Sequence, residues 1–499
     1  MKTNDKKQIK EEDVVDEKKG RKNSRPRKSK SNREARSCDT HPRTNDVSWY
    51  ATDNSILNSA ASYSFNNPLG NSLRISELTN LHSSINISNL TVLDNSVPGI
   101  MRLNYVPTIG YSNNNASPIN IAARKLYSTI RAANSGAKNY EPDDLMKYIM
   151  AVDSIYSYYA FMVRLYGVCS MYSSVNRYWP RVILQTMGFA PDNLMANLAD
   201  FRYYINTYAA KANTLSVPNE LNIFKRHFFM NMGMWKDGPS DKSQTYYFAP
   251  IYLYELDETD TPASLVPVTM PLAGDSRNVQ WLMNTGNSLL QQGLSSEDMG
   301  IISGDLLKCF GEGGMSKLPN MEANYETIPT YDAAVLHQIH NATFVGQGFE
   351  APANKNNWKI TAITAPSTEA GAIVQTPHVR LGINDNTWQY MGSAIAHIVD
   401  VHGIEDPNPE IVMEVTRLIT HAKIYKEESN MVVTLSAYGS EVLTTWQIYR
   451  MVGSEATHVA TGSSAITVDE TIAPSALETF NLHPIVTLGE FITSTADKI

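Results

Sequence analysis

The stretch from Glu141 to Tyr166 limits what this chain can fold into more than any other. It carries Leu145, Ile149, Met150, Val152, Ile155, Tyr159, Met162 and Leu165 at helical spacing, and these fall on more than one face. A helix that is apolar nearly all round must be enclosed by other elements, so this one is expected to be the axis of a helical core. Its start is marked as well. Pro142 at the first helical position gives up no hydrogen bond, and Asp143 and Asp144 face the positive end of the helix dipole. Just before it, Ile119 to Ala133 predicts a helix with Ile121, Leu126 and Ile130, plus Ala122 and Ala133, as the inward stripe. Lys125 and Arg131 stay in solvent, and Ser135-Gly136 ends the helix.

The pattern stays helical beyond this axis. Pro180 opens Arg181 to Met187, closed by Gly188, and Pro191-Asp192 opens a helix reaching Ala209. Pro218 opens another through Phe224, Phe228 and Met232, and further helices are expected at Val279 to Gln292, Glu297 to Phe310 and Ala333 to Val345. Thr245 to Leu256 reads as a strand pair with Pro250 at its middle. The last third changes character. Trp358 to Thr364, Ala372 to Pro377, Met431 to Ala437, Val442 to Arg450 and Glu455 to Val468 predict strands, with one helix at Pro409 to Thr420. The expected architecture is a mainly α-helical domain at 97–350 and a second, α+β (β-containing) domain at 351–499. Ahead of them lie a disordered basic arm at 1–45 and an extended strap at 46–96.

Charge is divided unevenly along the 499 residues, whose formal net charge is −8. Residues 1–43 hold 15 Lys+Arg against 8 Asp+Glu, which leaves 27 against 42, or −15, for the rest. The dense part of the arm is Lys18, Lys19, Arg21, Lys22, Arg25, Arg27, Lys28, Lys30, Arg33 and Arg36, with Glu34 the only acid among them. No large apolar residue interrupts these cations, so the segment cannot offset its own chain entropy by burial. Ten cations on a flexible tether suit a polyanion, held through its phosphates in a salt-dependent, sequence-blind way; without aromatic residues, base stacking is not offered. A nuclear import signal and a solubilising tail are the competing readings of the same run. The acidic stretch Glu11 to Glu17 precedes it.

No catalytic or metal-ligating pattern emerges. His337-x-x-His340 lacks a neighbouring glutamate and further ligands, and His397, Asp400 and His402 alternate as on a strand edge. Gly311 to Lys317 has glycines and a lysine without the spacing of a phosphate-cradling loop. Cys38, Cys169 and Cys309 are too far apart for a disulfide framework or a metal site, which suggests a reducing environment. The charged start predicts no secretory leader, no apolar run reaches the ~20 residues of a membrane span, and no cofactor is called for. Residues such as Tyr156, Tyr158, Tyr159, Phe161, Tyr203, Tyr204, Tyr208, Phe228 and Phe229 exceed what one helical layer buries, so part of this set is expected at contacts between subunits.

Several phrases in order carry a family resemblance: Val97-Pro98-Gly99-Ile100-Met101, Pro107-Thr108-Ile109-Gly110, Ile119 to Gly136, Tyr140 to Val168 and Asn176 to Phe189. Together they resemble the capsid protein of picobirnaviruses, most clearly over Leu93 to Met234. The resemblance implies a structural protein whose dimers build an icosahedral shell around double-stranded RNA, assembled in the host cytoplasm and resident in the virion. It implies that 97–350 forms the shell, that 351–499 protrudes, and that the ten cations of the arm contact RNA. It also implies self-cleavage near the N-terminus, with release of a peptide that acts on the host membrane. An asparagine amide can attack its own carbonyl and expel a small following residue, and Asn54-Ser55, Asn58-Ser59 and Asn71-Ser72 are the candidate bonds; Asn58-Ser59, followed by Ala60-Ala61, is favoured, although serine stands here where the family's cut has alanine. The rival reading is a cellular RNA-associated or nuclear adaptor that uses the basic tail for localisation.

Overall fold

In a computed structural model of the chain, the described residues are 100–462 except 135, 137–138, 174–178, 238–243, 261, 366–369, 385–398, 400, 402–405, 428–429 and 453–454. Short strands at 72–73, 90–92, 95–96, 478–479 and 491–493 complete them. Strand β1 (Ile100–Pro107) opens this part of the chain and is buried along its whole length. Helix α1 (Pro118–Ala133) follows, then α2 (Pro142–Ser170), the axis expected from the sequence. At 29 residues, α2 is roughly 43 Å long. Glu141 and Asp144 form a reciprocal capping box at its start, and every side chain from Leu145 to Cys169 is buried.

α2 is sheathed by α3 (Trp179–Thr186), α4 (Pro191–Ala196), α5 (Leu198–Ala212) and α6 (Asn222–Met232). After these come β2 (Trp235–Lys236), β3 (Thr245–Pro250), β4 (Tyr252–Asp257), β5 (Ser264–Thr269), α7 (Val279–Ser295) and α8 (Glu297–Phe310). The single long helix expected from Pro191 is broken at Asn197, whose side-chain amide bonds back to the Asn193 carbonyl. Pro218 does not open α6. It forms a bridge with Met315, and the helix starts four residues later. Thr245 to Leu256 is not one hairpin. β3 runs parallel to β1, while β4 turns away at Ile251 to pair with β5.

α9 (Ala333–His340) and β6 (Thr343–Phe344) lead into the last third. It contains β7 (Thr361–Ala362), β8 (Ile373–Val374), β9 (His378–Asn384), α10 (Pro409–Val415), β10 (His421–Glu427), β11 (Asn430–Ala437), β12 (Glu441–Val452) and β13 (Glu455–Gly462). β9, β11 and β10 form a three-stranded antiparallel sheet in that order. The main sheet runs β13-β12-β1-β3-β2, with Trp446 opposite Leu103 and Leu103 opposite Phe248. Strands from the two ends of the described chain therefore share one sheet, which crosses the position near 351.

Two packing details explain the sequence. α1 is rotated away from the stripe expected for it, leaving Ile121 54% exposed while Asn120 is buried. The Asn120 amide sets this rotation. It donates to the Ile373 carbonyl at 3.0 Å and accepts from the Ile373 amide at 2.9 Å, fastening α1 to β8. The tyrosines of α2 are the second detail. Residues 315–330 pass along the helix with little regular structure, so their carbonyls need donors from outside. Tyr156 and Tyr166 supply them, to Ser316 at 3.1 Å and Ala323 at 2.8 Å, and Tyr159 bonds Pro319. Gly167 allows the closest approach, since a Cβ there would lie 2.1 Å from Thr327 Oγ1. Tyr156, Tyr158, Tyr159, Phe161 and Tyr208 are thus core residues of one subunit, whereas Tyr203 and Phe229 remain exposed.

Candidate functional site

The ten cations of the arm, Lys18 to Arg36, lie outside the described residues, as do Asn58 and Ser59 and the group His397, Asp400 and His402. The other sequence candidates are placed. His337 and His340 sit in the last turn of α9, and among the described residues no group of three His, Cys, Asp or Glu side chains could hold a metal ion. Residues 312–314 make a single 3₁₀ turn. Cys169 is enclosed in the core, and burial pushes its thiol up to about 12, far from the thiolate form that reacts. No helix among the described residues is long and apolar enough to cross a membrane.

A buried cluster of ionisable groups joins four parts of the fold. Asp153 lies inside α2, Arg226 and His227 on α6, Arg417 just after α10, and Glu441 at the start of β12. Arg226 Nε and Arg417 Nε both donate to Glu441 Oε1 at 2.8 Å, and Ser440 Oγ donates to the same carboxylate. Burial alone would push the Glu441 carboxyl up, but Arg226 and Arg417 overcome it and hold it down to about 2. His227 meets Asp153 through Nδ1 at 2.5 Å and the Ser440 carbonyl through Nε2 at 3.0 Å. Burial lowers the imidazole, but Asp153 more than offsets this and raises it above its ordinary value. A histidine on an aspartate beside a serine has the makings of a catalytic triad, but the geometry is wrong for one. Nε2 is occupied by a backbone carbonyl instead of a hydroxyl, and His227 is 0% exposed. The cluster holds α2, α6 and β12 together.

On the surface, one open groove of about 710 Å³ lies between α6, β2 and residues 316–330. Phe224, Phe229, Met232, Trp235 and Ile328 line it, with Tyr156 beneath. Phe229 and Ile328 are 40% and 59% exposed and stand on the same groove, so they form one apolar patch. Phe229 packs on Trp235 with ring centroids 5.1 Å apart, which fixes the groove wall. Lys225, Lys317 and Glu326 stand on the rim. This is a shape for receiving an apolar side chain, not for acid–base chemistry.

Neither feature was singled out from the sequence, although both left traces. Asp153 and His227 are ionisable residues inside otherwise apolar helical segments, a pattern that signals a buried pair. The doublet Phe228-Phe229 puts aromatic rings on two faces of α6, and only one face can turn toward α2.

Comparison with known proteins gives a consistent answer. The sequence profile described as "Picobirnavirus, Capsid protein" matches residues 49–473. The capsid protein precursor of a human picobirnavirus is 34% identical over 387 residues, covering 75% of this chain and 68% of that one. A solved X-ray structure of the picobirnavirus capsid superposes with a TM-score of 0.66 at 22% identity, over 90% of this chain and 93% of the other.

Proposed function

The chain belongs to the picobirnavirus capsid protein family, and from that premise we propose that its dimers assemble into a closed icosahedral shell around a double-stranded RNA genome. The shell-forming role follows from the family itself, and a capsid protein is a component of the virion. The observation that carries the reading is the family match over residues 49–473, which includes β1, α2 and the main sheet. The basic arm, Lys18 to Arg36, contacts the genome through phosphates, while the acidic remainder leaves the RNA free to move within the shell.

Purified protein tests assembly directly. Negative-stain imaging is expected to show megadalton spheres that dissociate through dimers. A uniform species near 55.5 kDa would return the adaptor reading. Particles lacking residues 1–43 are expected to form and to package less RNA; equal RNA content would remove the arm from the account. Cleavage at Asn58-Ser59 is part of the same proposal. It is supported by the name of the human picobirnavirus relative, a precursor. Intact-mass measurement of aged particles is expected to show loss of residues 1–58, abolished by Asn58→Ala.

A further inference from the structure

We propose that the groove at Phe229 and Ile328 is a socket for a second copy of this chain, which inserts the acidic corner around Leu294. The inference rests on the shell-forming reading and names a contact within the shell. Its two halves lie on different parts of one subunit. The socket is apolar, with Lys225 and Lys317 outnumbering Glu326 on its rim. Lys317 donates to the Asn213 carbonyl at 2.7 Å. A positive rim is out of character for residues 44–499, which carry 27 basic against 42 acidic residues. Two such bodies repel unless a local positive site on one faces a negative site on the other.

The complementary site is at the junction of α7 and α8. Leu294 is 42% exposed there, three and four residues before Glu297 and Asp298. Partial burial raises the Asp298 carboxyl, and repulsion from nearby Asp144 and Glu258 adds to it. Of these four carboxylates, Asp144 is paired with a lysine of its own chain, Lys147 at 3.1 Å. An exposed leucine close in sequence to a group of carboxylates matches an apolar hollow whose rim carries more lysine than glutamate. The corner sits at the first turn of α2, and the socket begins at Tyr156, roughly 18 Å further along the axis. One subunit therefore cannot fill its own socket from this corner. Contact between unlike surfaces propagates from copy to copy and closes into rings, which a shell needs in addition to two-fold dimer contacts. The groove acts as the buried anchor of a larger interface.

Charge reversal tests the pairing on the full-length chain. Lys225→Glu with Lys317→Glu, and separately Glu297→Lys with Asp298→Lys, are each expected to cut particle yield at least ~10-fold. Subunit folding, read by circular dichroism and thermal melting, should be retained. Combining all four reversals in one chain restores complementarity and is expected to recover most of the yield. If Lys317→Glu disturbs folding through the lost Asn213 bond, Lys225→Glu alone serves against Glu297→Lys. Normal assembly of the single-patch variants overturns the contact, as does a combined variant that assembles no better than either. Particles that form normally but lose binding to some other protein would assign the groove to that partner and overturn it too. If the unmodified chain makes no particles, it is the shell-forming reading that has failed, a result distinct from these.

Discussion

Arg164 and Arg226 are both buried guanidinium groups, and the fold accommodates them in opposite ways. Arg164, near the C-terminal end of α2, is 0% exposed and has no carboxylate against it among the described residues. It donates through Nη1 to the Met230 carbonyl at 3.2 Å and lies over the rings of Phe161 and Tyr247 at 5.8 and 5.3 Å. Burial lowers it to about 10. Arg226 instead shares the Glu441 carboxylate with Arg417 and donates onward to Gln338 at 2.9 Å. At the first site the arginine is the isolated charge. At the second the carboxylate is, and two arginines compensate it. The second arrangement should therefore be the more costly to break, because removing Glu441 leaves a buried cation behind.

The largest expected effect follows from that. Glu441→Leu should destabilise the unassembled subunit by about 3–5 kcal/mol in denaturant unfolding. Adding Arg226→Met should recover part of the loss, since Arg417 is 43% exposed and can turn to solvent. A double variant as unstable as Glu441→Leu would mean that packing, not charge, holds this site.

Acid should separate the two sites next. The Glu441 value is depressed in the fold, from 4.5 to about 2, so its contribution is present above 4.5 and is lost as pH falls toward 2. That shift corresponds to about 3 kcal/mol. Glu441→Gln should flatten this part of the stability profile, whereas Arg164→Met should leave it unchanged. An unaltered acid limb in Glu441→Gln would show that other carboxylates govern it.

How much of this could be read from the sequence depends on the range of the interactions. α2 was legible because its cap and its apolar spacing are local properties of Glu141 to Cys169. The bounds of α8 were legible for the same reason, with Ser296 as its cap. The rotation of α1 was not, because Asn120 answers to Ile373, far along the chain. Nor was the main sheet, where Trp446 finds Leu103 across more than three hundred residues of intervening sequence. The Glu441 cluster draws on four separate segments, so no local spacing announces it. The groove is the surface left over once α6 has packed, a property of the finished fold.

The smallest expected effect is that of Arg164→Met, and it sharpens the comparison most. The substitution removes the stacking of a cation on two aromatic rings, worth ~0.5–2 kcal/mol. It also leaves the Met230 carbonyl without that donor, although a thioether against Phe161 and Tyr247 retains part of the contact. Against these losses stands a relieved penalty. The folded value of Arg164 lies below its unfolded one, so the buried charge costs stability at every pH below about 10, and the cost fades only as pH rises through that value. The terms oppose one another, and the net change at neutral pH should stay within about 1 kcal/mol of zero, several-fold smaller than for Glu441→Leu. Above pH 10 the relief is no longer available, so the variant should fall further behind the unmodified chain. Denaturant unfolding of the unassembled subunit at neutral and alkaline pH reads both. A loss above ~3 kcal/mol at neutral pH would place Arg164 on the same footing as Glu441, and the distinction between the two burials would not hold.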